Sequence, residues 1–316
     1  MVITRTREEV LSSPRLSDRQ GRFGGVVVIG GANIDLRGRP VGEVLERHTS
    51  NPGKINVDSG GVGRNIAHNL ALLNIPVTLL SAVGDDGEGI RILEETGKDG
   101  VKMEQMIISG EHPTGIYLAI LNEKGEMEVA VSDMRILEEV TVDYLRSKAY
   151  LIKESKIVVM DTNIPEESIG YVVDLCNKVK VPLLIEPVSV EKAKKLRKVL
   201  GESESGSESG RRAIDYMTPS KDELESILGE GAEREDERGL DLDIDLDIVR
   251  AAEELKGKGV KNVIVTLGER GIYVSCGRSD EGRKEDWNKF IAPYRGEVVD
   301  VTGAGDALVA GLVYGI

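Results

Sequence analysis

The sequence predicts an α/β fold with a mainly parallel central sheet that is flanked by helices. From residue 157 onward, short apolar runs alternate with helical stretches, which is the order of consecutive βαβ units. The apolar, β-branched run Val26–Ile29 is typical of a strand that is buried on both faces. The chain has 316 residues and is 40% hydrophobic, which is enough for the core of one large domain.

The elements are predicted in chain order from their patterns. Residues 1–24 are polar and predict a flexible leader, and Val26–Ile29 is the first strand. A helix is expected over 63–73, because Ile66, Ala67 and Leu70 recur at helical spacing. A strand over 77–83 and a helix over 87–97 follow. Later strands are expected at 157–160, 183–185, 213–217 and 263–267, with helices near 166–178, 189–199, 220–228 and 247–258.

Two parts of the chain do not fit this alternation. Residues 36–58 are turn-rich, and residues 101–131 contain three strand-like runs with a hairpin turn at 122–125. These segments are predicted to form a small β lid beside the sheet. Two low-complexity stretches, about 201–212 and 229–247, are predicted to be acidic surface insertions.

Charge and cysteine content exclude several classes of function. Lysine and arginine total 41 and aspartate and glutamate total 55, which gives a net charge of −14 and disfavours nucleic-acid and membrane-surface partners. Cys176 and Cys276 lack the close spacing of zinc sites and disulfide frameworks, and no apolar run is long enough to cross a membrane. We therefore expect a cytoplasmic protein with small-molecule partners.

The sharpest motif is the loop Asp300–Asp306, which opens onto an apolar helix. A loop of small residues at a helix start exposes backbone N–H groups, which favours an anion such as a phosphoryl group. Asp306 would repel a phosphate that was merely bound, but it suits a base that takes a proton from an attacking hydroxyl. The alternative is a tight turn in which Asp306 caps the helix.

A second glycine-rich segment, Gly60–Asn65, also stands at a predicted helix start. Taken alone it could be a close-packed turn. The sequence has no GxxxxGK[ST] loop, which disfavours a P-loop enzyme. The residues after the first strand, Gly30–Asp35, do not supply the GxGxxG of a dinucleotide-binding fold.

Together the two motifs resemble those of the ribokinase-type (PfkB) carbohydrate kinase family, and the resemblance spans residues 25–316. It implies a ribokinase-like fold and an ATP-dependent kinase. It also implies that Asp306 is the catalytic base and that the loop residues Gly303, Ala304 and Gly305 form an anion hole. The sugar hydroxyls would be bound by residues after the first strand and in the second motif: Asn33, Asp35, Gly60, Gly61 and Asn65.

The same resemblance implies a nucleotide site and metal ions. The ATP-binding residues would be Ser220, Thr266, Gly268 and Gly271. Glu223 would help to hold Mg²⁺, and Asp300 and Thr302 would belong to a K⁺ site. Ser220 stands where the family usually has asparagine, and Glu186 where it has aspartate. Relatives continue through further helices beyond the position of Ile316, and we expect those helices to be missing here.

Within the family, the segments Ser50–Ile55 and Gly60–Leu73 resemble the branch that acts on pseudouridine. The expected reaction is therefore ATP-dependent phosphorylation of the 5′-hydroxyl of pseudouridine. Lys54, Thr114 and Asp161 are expected to contact this nucleoside, although Lys54 could face solvent and Thr114 could pack within the lid. The alternatives are a kinase for ribose or adenosine, or a truncated nucleoside-binding protein without catalysis. A homodimer through the lid is also expected.

Overall fold

The computed structural model describes residues 24–41, 45–46, 48–122, 125–201, 213–229, 242–280, 283–294, 296 and 302–316. The predicted leader up to residue 23, Asp300, and residues 202–212 and 230–241 of the acidic insertions lie outside these ranges. In the described residues the strands are β1 Val26–Ile29, β2 Asn33–Pro40, β3 Gly53–Gly60, β4 Val77–Leu80, β5 Ala82–Gly84, β6 Ile107–Ser109, β7 Gly115–Leu121, β8 Met127–Asp133, β9 Ile157–Asp161, β10 Leu183–Glu186, β11 Ile214–Met217, β12 Val260–Thr266, β13 Ile272–Asp280 and β14 Arg283–Ile291.

The α-helices alternate with these strands over much of the chain. They are α1 Val62–Leu72, α2 Gly87–Lys98, α3 Val142–Ser147, α4 Ala149–Glu154, α5 Glu166–Val179, α6 Val190–Ala193, α7 Leu196–Gly201, α8 Lys221–Leu228, α9 Leu242–Gly257 and α10 Ala304–Gly315. Short 3₁₀ turns occur at Arg135–Glu139 and Gly268–Arg270. None of the described helices combines the length and the apolar character that crossing a bilayer requires.

The central sheet has eight strands in the order β14-β13-β12-β11-β10-β9-β1-β4. The strands from β12 to β4 are parallel, and the β13–β14 hairpin is antiparallel. Alternate residues of β1 point to opposite faces, so Val27 joins one core cluster and Val28 the other. Helices α1, α2 and α10 cover one face, and α3 to α5 with α7 to α9 cover the other. The predicted fold class is confirmed.

A second sheet, the lid sheet, has the strand order β3-β2-β7-β8. It contains most of the segments that the sequence assigns to a lid, but the run 101–108 is not part of it. Lys102 instead forms a bridge to Thr78, and β6 pairs with β5 beside the central sheet. The prediction for this run was wrong because strand propensity does not determine which strand will be the partner.

The second acidic insertion also ends earlier than the sequence predicts. Residues 242–247, which alternate aspartate with leucine or isoleucine, form the first turns of α9 rather than a surface loop. Three further elements were not predicted: α3, α4 and the β13–β14 hairpin.

Candidate active site

The site begins where β1 and β9 end side by side in the parallel sheet. Asp161, the last residue of β9, is fully buried and accepts hydrogen bonds from the backbone N–H groups of Gly31 and Gly63, each at 2.8 Å. It also accepts the N–H of Asn163 at 2.8 Å. A Cβ at Gly30 would lie 2.3 Å from this carboxylate. Asp161 therefore joins the end of β1 to the start of α1 from beneath the site.

Helix α1 starts close against the same turn. Gly61 has a φ of 97°, and a Cβ there would lie 2.5 Å from the carbonyl oxygen of Gly31. This conformation and this close approach both require glycine. The N–H of Arg64 donates to the Gly31 oxygen at 2.9 Å, which fixes the first turn of the helix against β1.

Asn33 and Asp35 stand at the start of β2, where the chain passes from the central sheet into the lid sheet. The amide of Asn33 donates to Oδ1 of Asp35 at 2.7 Å. Gly60 pairs with Asn33 across the ladder, and a Cβ at Gly60 would lie 2.2 Å from Oδ2 of Asp35. Glycine at position 60 thus leaves room for the carboxylate. Burial raises the pKa of Asp35, and the Asn33 hydrogen bond acts in the opposite direction.

Asp306 lies in the first turn of α10, directly beside the start of α1. Nδ2 of Asn65 donates to Oδ2 of Asp306 at 2.8 Å, and only 7% of Asp306 is exposed. The pKa of Asp306 is raised to about 6, chiefly by burial and also by the charges of Asp161 and Asp35, whereas the Asn65 hydrogen bond acts in the opposite direction. Among the described residues no side chain caps α10, because Gly303 precedes it in a left-handed conformation with a φ of 75°.

These elements enclose a cleft of about 400 Å³ between the lid sheet, α1 and α10. The structure brings four of the predicted site residues to it: Asp35, Asn65, Thr302 and Gly303. Its lining is mainly polar, and it includes both the predicted base helix and the predicted sugar-binding strand. The remaining lining residues are Arg37, Asp58, Ser59, His68, Asn69 and Ala307.

The predicted nucleotide residues meet at the ends of the neighbouring strands β11 and β12. Ser220 forms a parallel bridge with Thr266, and the N–H of Thr266 donates to the Pro219 oxygen at 2.9 Å. Gly268 begins the 3₁₀ turn that follows β12, with a φ of 58°. Gly271 ends this turn with a φ of 93°, and a Cβ there would lie 2.1 Å from the Ile291 oxygen.

Two glutamates, the buried Glu223 and the half-buried Glu186, stand at the same sheet edge as the predicted nucleotide residues. Glu223 and Ser220 form a reciprocal capping box at the start of α8, with the Ser220 N–H donating to Oε2 of Glu223 at 2.8 Å. Burial raises the pKa of Glu186, at the end of β10, to about 8. The hydroxyl of Thr218 donates to Glu186 and opposes this shift, whereas the charges of Glu223 and Asp306 increase it.

A model of the pfkB family carbohydrate kinases matches residues 24–316. The chain belongs to the pfkB family. Pseudouridine kinase of Escherichia coli strain K12 is 37% identical over 287 residues, which cover 91% of this chain and 82% of that protein. Guanosine-inosine kinase of Exiguobacterium acetylicum is 26% identical over 295 residues, covering 91% and 86%. The structure of Arabidopsis thaliana ribokinase complexed with ribose and ATP has a TM-score of 0.68 at 24% identity, covering 92% of this chain and 83% of that chain.

Membership of the pfkB family confirms the predicted family and the ribokinase-like fold. The family comprises sugar and nucleoside kinases, which are phosphotransferases that act on an alcohol group. The relatives named above act on different compounds, so the family alone leaves the substrate open.

The metal ions that the pfkB resemblance implies can be compared with the side chains present. The described residues contain no group of three or more histidine, cysteine or acidic side chains that could hold a metal by themselves. Mg²⁺ in kinases usually takes one or two protein carboxylates and several phosphate oxygens, and the pair Glu186 and Glu223 fits that need. Of the predicted K⁺ residues, Thr302 lines the cleft and Asp300 lies outside the described residues.

The predicted sugar-binding and catalytic residues that do not line the cleft are Asn33, Lys54, Gly60, Gly61, Thr114, Asp161, Ala304, Gly305 and Asp306. Lys54 is exposed near the outer end of β3, six residues from Gly60, which is about 20 Å along a strand. Thr114 is buried, accepts the Gly84 N–H at 2.9 Å and donates to Asp86 at 2.6 Å, so its hydroxyl is used in packing. Asp161 is engaged by backbone amides. The sequence did not distinguish these structural roles from ligand contact.

Arg64 is a residue whose role the sequence did not reveal, because isolated basic residues usually face solvent. Only 8% of it is exposed, and its guanidinium contacts Thr96, Ser59 and Asn65. Its position immediately before Asn65 was the only available signal. Arg37 and Asp58 of the lid sheet also reach the cleft, where they form an ion pair at 2.7 Å.

Proposed function

We propose that the protein transfers the γ-phosphoryl group of ATP to the 5′-hydroxyl of pseudouridine. The observation that carries this proposal is the position of Asp306, a nearly buried carboxylate beside Asn65, Asp35 and the uncapped start of α10. An anion-binding helix start and a carboxylate with a raised pKa are together suited to a reaction in which a hydroxyl attacks a phosphoryl group.

In this mechanism Asp35 and Asn65 hold the ribose so that its 5′-hydroxyl lies beside Asp306. The hydroxyl oxygen forms a bond to the γ-phosphorus as the bond to the β,γ-bridging oxygen breaks, and Asp306 takes the hydroxyl proton. The N–H groups of Gly303, Ala304 and Gly305 donate to the developing negative charge on the phosphoryl oxygens. A pKa of about 6 leaves Asp306 ionised above neutral pH and still able to accept a proton.

The nucleotide would bind across the ends of β11 and β12, near Ser220, Thr266, Gly268 and Gly271. Glu186 and Glu223 would hold Mg²⁺, and Thr302 would contribute to a K⁺ site with Asp300. When bound, Mg²⁺ neutralises phosphate charge, which matters in a protein with a net charge of −14. We also propose that the protein works in the cytoplasm, because Cys176 and Cys276 are both free.

Pseudouridine is favoured over other acceptors by the identity of 37% to the E. coli enzyme over most of both chains. Adenosine, ribose and guanosine are the competing acceptors. A phosphorylation assay with these compounds, uridine and pseudouridine tests the proposal. We expect the highest kcat/KM for pseudouridine. A pocket that forms hydrogen bonds with the edge of its nucleobase rejects analogues that leave the polar groups of the pocket unpaired. Equal rates for uridine and pseudouridine would overturn the proposed specificity, and absence of transfer to every acceptor would overturn the proposed activity.

The lid sheet is proposed to cover the cleft with one face and to bind a second copy of the chain with the other. Asp35, Arg37 and Asp58 point to the cleft from its inner face. Side chains alternate along each strand, and the register places an apolar set on the opposite face, with substantial exposure. This outer set comprises Ile55, Val57, Leu118, Val129 and Val131.

A further inference from the structure

Arg64 is a buried cation next to the proposed site but does not line the cleft. Its Nη1 donates to Oδ1 of Asn65 at 3.0 Å and to the Ser59 oxygen at 3.1 Å. Its Nε donates to Oγ1 of Thr96 at 3.0 Å. The charges of Glu95 on α2, of Asp99 just after this helix, and of Asp35 favour the charged guanidinium against the effect of burial. Arg64 is thus held from several sides in one orientation.

The chemistry of these partners determines which way the Asn65 amide points. An arginine side chain has donors only, so the atom of Asn65 that faces it must be the carbonyl oxygen. The NH₂ group is then directed at Oδ2 of Asp306, where it donates at 2.8 Å. An asparagine without such a neighbour can turn its amide by half a rotation, which would place its carbonyl oxygen against the carboxylate.

We propose that Arg64 is a positioning residue that orients the Asn65 amide so that its NH₂ group donates to Asp306. This inference rests on the proposed role of Asp306 as the base. With Oδ2 occupied by Asn65, Oδ1 would be the oxygen that accepts the proton of the incoming hydroxyl. Arg64 acts through Asn65 and has no contact with the reacting atoms.

The charged surroundings of Asp306 explain why the orientation matters. Asp35 of β2, Asp161 of β9 and Glu186 of β10 are the acidic groups that interact with it, and burial adds to their effect. Asn65 of α1 provides the hydrogen bond that offsets this unfavourable environment. Loss of the NH₂ donor, or its replacement by a carbonyl oxygen, should therefore raise the pKa of Asp306.

The test compares Arg64→Met, Arg64→Lys, Asn65→Ala and the double variant R64M/N65A with the wild type. NMR titration of the ¹³C carboxyl resonance of Asp306 measures its pKa directly. This resonance is assigned by its absence from the spectrum of Asp306→Asn. The acid limb of the pH profile of kcat/KM reports the same pKa during turnover. We expect R64M to raise both by about one pH unit, because the Asn65 hydrogen bond stabilises the charged form. R64K should raise the pKa of Asp306 less than R64M does, since lysine can also donate to Oδ1 of Asn65.

The double variant separates positioning from general destabilisation. Within an N65A background R64M should add no further shift, because the group through which Arg64 acts is gone. Arg91→Met is the matched control, as Arg91 on α2 contacts Glu95 and the Val57 oxygen but not Asn65. It should leave the Asp306 titration unchanged.

An unchanged titration in folded R64M, or an equal shift in the N65A background, would overturn the inference. If R64M does not fold, R64K is compared in the wild-type and N65A backgrounds, and its smaller shift must likewise disappear in the N65A background. The NMR titration needs no turnover. A wild type that phosphorylates no nucleoside would therefore overturn the proposed function. The titration of Asp306 in the Arg64 variants would still test the positioning role of Arg64.

Discussion

Asp306 is the residue on which the proposed chemistry depends. Asp306→Asn keeps the size of the side chain and an oxygen that can accept from Asn65, but it cannot take a proton. We expect kcat to fall by about 10²–10⁴-fold, which is typical when a general base is removed. Nucleoside affinity, measured by calorimetry, should stay close to that of the wild type. A variant with near-normal kcat would contradict the assignment.

The same substitution should have a pH-dependent effect on stability. The pKa of Asp306 is raised from 3.8 to about 6, so the folded state binds its proton more tightly than the unfolded state. The ionised carboxylate therefore destabilises the fold above pH 6, and this cost disappears as the pH falls through 6 towards 4. Asp306→Asn should be more stable than the wild type at pH 8, by on the order of 1–3 kcal/mol.

Urea unfolding of both proteins at pH 8 and pH 5 measures this difference. The advantage of the variant should narrow markedly at pH 5. An advantage that is the same at both pH values would show that the carboxylate is not held in an unfavourable environment. The same conclusion would follow if Asp306→Asn were less stable than the wild type at pH 8.

Asp35 is expected to bind rather than to react. A carboxylate can accept from two adjacent ribose hydroxyls, and hydrogen bonds to charged groups contribute roughly 1.5–3 kcal/mol. Asp35→Ala should therefore raise the Kd for the nucleoside by about 10–100-fold. Calorimetry with pseudouridine measures the change, and the melting temperature of the variant shows whether the fold is intact. Unchanged affinity in a folded variant would indicate that Asp35 has only a structural role.

At the scale of elements, the start of the lid sheet depends on Gly60. Its replacement by alanine would place a Cβ 2.2 Å from Asp35, so the carboxylate has to move. Gly60→Ala should raise KM for the nucleoside more than it lowers kcat. Gly97→Ala in α2 is the control, because the nearest atom to its Cβ is the flexible Met103 side chain at 3.6 Å. That change should stabilise the protein by about 0.5–1 kcal/mol and leave KM unchanged. An equal KM in both variants would contradict the steric argument.

Elements defined by local pattern could be predicted, and contacts between distant elements could not. Strand β1 and helix α1 were predicted within one or two residues, because a buried β-branched run and a helical apolar repeat are local signals. The run 101–108 was assigned to the wrong sheet, since its partner β5 is chosen by tertiary packing. The burial of Arg64 could not be predicted, because it depends on Thr96 of another helix and on a backbone oxygen.

The candidate site shows the same division. The two glycine motifs indicated where the helices α1 and α10 begin. The hydrogen bond that joins them, from Asn65 to Asp306, connects residues that are 241 positions apart. Its distance and its effect on the pKa of Asp306 could come only from the folded structure.

At the scale of the whole molecule, the order of strands determines how the two substrates can meet. The proposed sugar side lies at the ends of β1 and β9, and the proposed nucleotide side lies at the ends of β11 and β12. Strand β10 lies between them and ends at Glu186. The carboxyl ends of parallel strands share one edge, so both sides open onto the same surface, where α10 begins.

The outer face of the lid sheet is apolar and largely exposed. Val129 and Val131 of β8 are 53% and 63% exposed, and the register pairs them with Ile120 and Leu118 of β7. An apolar face of this kind costs free energy in water, which a second copy of the chain would recover by covering it. The wild type should therefore sediment at twice its mass of 34.3 kDa.

Replacing Val129 and Val131 together by lysine should give a monomer, because like charges would then face each other across the interface. Ser132→Lys is the control, since Ser132 pairs with Tyr117 of β7 and therefore lies on the same face as Asp35, opposite to Val129 and Val131. It should remain dimeric. Analytical ultracentrifugation over a range of concentrations distinguishes these outcomes. A wild type that is monomeric throughout, or a double variant that is still dimeric, would exclude the lid sheet as the interface.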